Sequence, residues 1–106
     1  MPRAVFDTNV LVSGMLYAGK SKLLIDAVLD GNITLFLSTQ LIREFKRVIA
    51  RDKFKLSRDQ QNTFVNFVLR MGRIVKIRSK FKVVKEDPND DVVLRTAYDG
   101  RVDCVV

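Results

Sequence analysis

The chain is 106 residues long and 47% apolar, with 19 Lys and Arg against 12 Asp and Glu for a net charge of +7. That suffices for one domain with a real core, and no apolar run approaches the roughly 18–20 residues that span a bilayer. One cysteine and no histidine exclude an internal disulfide, a zinc site of the usual ligands and a His-based triad.

Any bound metal must therefore accept oxygen ligands, as Mg²⁺ and Mn²⁺ do. The opening residues carry too short an apolar run for a secretory signal, which makes the cytoplasm the default location. Charge is uneven: four acids (Glu86, Asp87, Asp90, Asp91) crowd into residues 86–91 of a chain that is otherwise strongly basic. A basic body around an acidic point suits a polyanion drawn towards bound cations, and equally suits a solvated basic surface.

In chain order, Ala4-Val5-Phe6 reads as a buried strand ending at Asp7. A helix follows to about Tyr17, with Leu11, Val12, Met15 and Leu16 on one face and Gly14 leaving room for a close neighbour. The next helix, from about Lys22, carries Leu23, Leu24, Ala27 and Val28, and Gly31 fits a left-handed stop. Ile33–Leu37 is a short apolar strand of the kind buried on both faces. Ser38 or Thr39 caps a helix that buries Leu41, Ile42, Phe45, Val48 and Ile49 and turns Arg43, Lys46, Arg47 and Arg51 outward.

After a connection over Asp52–Leu56, Ser57 and Gln60 form a capping box. Their helix buries Phe64, Val65, Phe67, Val68 and Met71 and ends at Gly72. From Lys76 to Val83 charged and uncharged residues alternate, which predicts an edge strand or extended arm. Glu86–Asp91 is a turn, and Asn89 or Asp90 caps a helix with Val93, Leu94, Ala97 and Tyr98 that stops at Asp99-Gly100. Asp103–Val106 begins a further buried strand. Strands alternating with helices imply a parallel sheet between helical layers. The last strand lacks cover, which predicts a homo-oligomer.

With right-handed crossovers every strand-to-helix loop opens on one edge. Asp7 ends the first strand there. Glu44 lies about 9 Å up its helix from Ser38, a reach that suits a long side chain tilted towards the helix start. Asp91 falls in the first turn after Pro88, and helix N-termini favour such carboxylates. Taken singly, Asp7 reads as well as a helix cap, Glu44 as a partner of Arg47, and Asp87, Asn89 and Asp90 as turn residues. Only joint placement of Asp7, Glu44 and Asp91 favours a metal site. A calcium loop at Asp87–Asp91 fails, because Val92 and Tyr98 stand where Gly and a bidentate Glu are needed. A receiver-like phosphoacceptor also fits poorly, since the early acid is alone.

The pattern resembles the PIN domain, a family of metal-dependent ribonucleases. The resemblance rests on Asp7-Thr8-Asn9-Val10-Leu11-Val12-Ser13-Gly14, on Leu37-Ser38 with Glu44, and on Asp87-Pro88-Asn89-Asp90-Asp91 with Leu94, Thr96-Ala97 and Asp103–Val106. It implies a three-layer α/β/α sandwich with a central parallel sheet over residues 1–106, the family's last strand and helix missing. It further implies a catalytic and metal-binding set of Asp7, Glu44 and Asp91 with Asp90 beside them, and Thr8, Asn9 and Ser38 in support. It looks like the branch of toxins of toxin–antitoxin systems, so single-stranded RNA and an antitoxin are the implied partners. Arg43, Lys46, Arg47, Lys76, Arg78, Lys80 and Lys82 would track the RNA backbone. The family's fourth acid follows the Val-Val strand and has no counterpart here, which keeps a non-catalytic, Mg²⁺-binding RNA- or protein-interaction module as the alternative.

Overall fold

The computed structural model describes residues 2–78 and 88–106, with the side chains of residues 88–91 outside that description. Among the described residues, four short strands form one parallel sheet: β1 (Arg3–Val5), β2 (Thr34–Leu37), β3 (Arg73–Ile74) and β4 (Cys104–Val105). Their order is β3-β2-β1-β4. The chain thus steps outward from β1 to β3, then returns to the other side of β1. Parallel neighbours require crossovers, and five helices supply them: α1 (Thr8–Leu16), α2 (Lys20–Leu29), α3 (Thr39–Ile49), α4 (Arg58–Met71) and α5 (Pro88–Gly100). The result is the expected α/β/α arrangement.

The core forms where sheet and helices meet. Val5, Phe6, Leu11, Leu35, Leu37, Leu41, Phe45, Ile49 and Val68 are fully enclosed. Helix ends follow local chemistry. The α2 stop is a complete Schellman motif: the Gly31 N–H donates to Val28 O, the Asn32 N–H to Ala27 O, and Gly31 holds φ +83°. Ser57 and Gln60 close their capping box on α4. The α5 helix ends at Gly100 as expected, and Arg101 takes the left-handed turn after it at φ 52°. Gly14 lets α2 approach α1, since a Cβ there would sit 2.6 Å from Ile25 Cγ1 and 2.9 Å from the Ser21 carbonyl.

Four expectations need correction. The α2 helix begins at Lys20 rather than Lys22. Phe67 is partly exposed rather than buried, because α4 packs on α3 and β3 along a narrow face centred on Val65 and Val68. Among the described residues the edge strand is Arg73–Ile74, and the predicted segment shows no strand over residues 76–78, which follow the Val75 N–H bond to Leu37 O; its remainder lies outside the described residues. Residues 79–83, the turn at 86–87 and the proposed capping side chains Asn89 and Asp90 lie outside the described residues. Finally, β4 is exposed rather than buried, having only β1 beside it at the sheet margin.

The ends of the sheet are tied at β1. Arg3 donates its backbone N–H to Asp103 Oδ2 and accepts at its carbonyl from the Asp103 N–H. The Arg3 guanidinium donates to Gly100 O at the α5 C-terminus and lies 4.7 Å from the Phe36 ring centroid. A cation at a helix C-terminus answers its unpaired carbonyls.

Candidate functional site

In an open parallel sheet, ligands bind beyond the carboxyl ends of the strands where the order reverses. Here that point is the β1–β4 crevice, and Asp7 stands at it. The Asp7 N–H donates to Val106 O at 2.7 Å, so β4 fixes the tip of β1. On the other side, Ala4 pairs with Leu35, and three residues further along the same register Asp7 comes level with Ser38.

Asp7 occupies the N-cap position of α1, but its side chain makes no cap hydrogen bond. The next residue, Thr8, is buried, and its Oγ1 has no hydrogen-bond partner. A buried hydroxyl left unpaired is costly, and the residue before it, Asp7, has a carboxylate with no hydrogen bond or ion pair among the described residues. An oxygen-only donor set of this kind fits a hard divalent cation that keeps part of its water shell.

Ser38 behaves differently. Its Oγ accepts from the Leu41 N–H at 3.1 Å and lies 2.7 Å from Thr96 Oγ1, which donates to Val92 O. With each hydroxyl donating once, a chain of hydrogen bonds runs from the α3 N-terminus into α5. It docks α5 across the tips of β1 and β2. Position 91 is five residues before Thr96 on α5, about 7.5 Å towards its N-terminus.

Glu44 sits in the second turn of α3 with its side chain only 11% exposed, and it is paired with Arg47 one turn on. This is the ordinary i, i+3 partnership the spacing allows. Among the described residues, no group of three acidic, Cys or His side chains gathers in a form that could hold a metal. The Asp90 and Asp91 side chains are not among them. Arg43 and Lys46 are exposed on α3, as are Lys76 and Arg78 after β3; Lys80 and Lys82 lie outside the described residues.

Residues 3–106 match the family model for the PIN domain. The chain belongs to the PIN-domain family. No curated protein and no solved structure matches the chain. PIN domains are generally metal-dependent nucleases and typically bind nucleic acid. No helix of this PIN domain, among its described residues, is long and apolar enough to cross a membrane.

Two clefts were not foreseen from the sequence. One, of about 600 Å³, lies at the far end of α5 and is lined by Lys76, Arg78, Tyr98, Asp99 and Arg101. The Arg78 N–H donates to Asp99 Oδ2 there, so acid and base share its wall. The other, of about 260 Å³, starts at Asn9 and runs between α1 and the end of α3 with the turn at residues 51–54 that follows it. The exposed Tyr17 and Arg51 were its only signals in the sequence, and their meeting depends on two helices lying side by side.

Proposed function

We propose that this PIN domain is a Mg²⁺- or Mn²⁺-dependent ribonuclease that hydrolyses phosphodiesters of single-stranded RNA, of the toxin–antitoxin type, working in the cytoplasm. The observation that supports it most is the uncommitted Asp7 carboxylate at the switch point of the sheet, next to the unpaired hydroxyl of Thr8. Asp7, Glu44 and Asp91, with Asp90 nearby, would hold the cation. When bound, it supplies Lewis acidity, a water of lowered pKa and charge relief at the leaving oxygen.

The chain's own residues do the rest. Asp7 contributes negative charge at a fixed backbone position, held by β4. Thr8 offers a hydroxyl to whatever water or ion fills the tip. Ser38 and Thr96 keep the α3 and α5 N-termini over the same edge, where their positive ends favour anions. No general base is needed among the side chains, in keeping with a chain that has no histidine.

The Glu44–Arg47 pair supports a second reading, a non-catalytic module that keeps a cation and binds RNA or an antitoxin-like protein. Incubation with end-labelled single-stranded RNA in Mn²⁺ separates the two. The nuclease reading expects fragments that vanish with a chelator and with Asp7→Asn. Metal binding without fragments, even at high enzyme concentration, selects the module. The half-exposed Val105 and Val106 on the margin of the sheet support pairing with a second copy; a light-scattering mass equal to the monomer at high concentration would count against it.

A further inference from the structure

We propose that the cleft between α1 and α3 is the RNA-holding subsite of this protein, taking a phosphate between Arg51 and Lys53 and a base on the ring of Tyr17. The proposal rests on the nuclease reading above and gives its substrate a path. The cleft, about 260 Å³, is lined by Asn9, Ser13, Tyr17, Arg51, Lys53 and Phe54 together with Val12 and Val48. Asn9 is two residues from Asp7, so the upper end of the cleft adjoins the candidate centre. Tyr17 closes the lower end, eight residues down the same segment, or about 12 Å at 1.5 Å per residue. That is the length of about three stacked nucleotides at about 3.4 Å each.

The chemistry of the lining is one-sided. Among the described residues no carboxylate lines the cleft; Asp52, between the two cations in sequence, is exposed outside it. Among the described residues neither Arg51 nor Lys53 has an acidic partner, in contrast to Arg47, which is committed to Glu44. The Lys53 ammonium lies 5.1 Å from the Phe54 ring centroid, a contact that holds the chain end of the cation in place. Tyr17 is 58% exposed, an open ring lining the same cleft as two cations that have no acidic partner among the described residues. Phosphate contacts with a stacking ring at their side are how single strands are gripped without sequence readout. At about 260 Å³ the cleft is far smaller than a duplex would need, and a single strand is the form whose bases are free to stack on Tyr17. The larger cleft at the far end of α5 has Asp99 in its wall and suits a polyanion less well.

The test is fluorescence anisotropy of a labelled oligouridylate of about 12 nucleotides with the full chain carrying Asp7→Asn, which prevents cleavage, over about 50–200 mM salt. Arg51→Glu and Lys53→Glu are expected to weaken binding at least about tenfold each and to lower the salt slope by about one. Arg51→Gln, which removes the charge without introducing an opposite one, should act in the same direction. Tyr17→Ala is expected to weaken binding about tenfold with the slope unchanged. Arg70→Glu, exposed near the end of α4, should change binding less than about twofold. If the parent binds RNA and the cleft variants bind equally well, the cleft is not the subsite and the nuclease reading stands. If neither this parent nor the unsubstituted protein in chelator binds RNA, both fall. Equal capture of a duplex of the same length overturns the single-strand cleft alone.

Discussion

The tips of β1 and β2 stand side by side, each a short apolar strand that ends in a polar residue at the N-cap of a helix. Ser38 uses its hydroxyl fully, accepting from Leu41 N–H and joining Thr96 of α5. Asp7 occupies the same backbone role and leaves its carboxylate out of it. With Asp7 held back, α1 takes its position from below instead, through Gly14 against Ile25 and Ser21 of α2. One helix is fixed by its cap and the other by its packing, and the side chain spared by the second arrangement is the one a cation needs.

Substitutions at the two tips should therefore separate activity from stability. Asp7→Asn is expected to lower Mn²⁺-dependent RNA cleavage at least about 100-fold, about 2.7 kcal/mol of barrier. Its unfolding free energy in urea should stay within about 0.5 kcal/mol of the parent, since no cap hydrogen bond is lost. A large loss of stability would mean that the carboxylate is structural. Ser38→Ala should do the converse, costing about 2 kcal/mol through a lost cap and a lost buried hydrogen bond, measured by chemical denaturation.

Gly14→Ala sharpens the contrast from the other side. Ala is the better helix former by about 1 kcal/mol, yet its Cβ would meet the Ser21 carbonyl, and overpacking of this kind costs about 1–3 kcal/mol. A net loss of about 1 kcal/mol is expected, seen as a lower denaturation midpoint; a gain would mean that α2 moves aside freely. The smallest effect belongs to Thr8→Val, a change of shape-matched side chains that removes the unpaired hydroxyl. Chelated protein should be unchanged or more stable by up to about 1 kcal/mol, while calorimetric Mn²⁺ affinity falls several-fold. Equal affinity would detach Thr8 from the metal.

Much of this architecture was legible because its signals are local. A charge closing an apolar run marked Asp7 as a strand tip, Ser57 and Gln60 named their own helix start, and Gly31 its own stop. The failures are tertiary. Phe67 lies in phase with the buried residues of α4, but how far a helix face is covered depends on its neighbours. A two-residue strand such as Arg73–Ile74 has no periodicity to read, whereas the alternation after Lys76 offered one. In the site, the Glu44–Arg47 pair was legible as the plain reading of an i, i+3 spacing. The stranded hydroxyl of Thr8 was not, because only the surrounding packing decides whether a threonine finds a partner.

The hydrogen bond from Asp7 to Val106 sets a timetable. The two residues are about 100 positions apart, so this contact, like the Val5–Val106 and Arg3–Asp103 bonds beside it, closes a very long loop and comes late among contacts ranked by entropy cost. On a ribosome adding about 5–20 residues per second, the tip of β1 waits at least several seconds for β4. The carboxylate on which the proposed activity depends is made about 100 residues ahead of the strand that holds it in place.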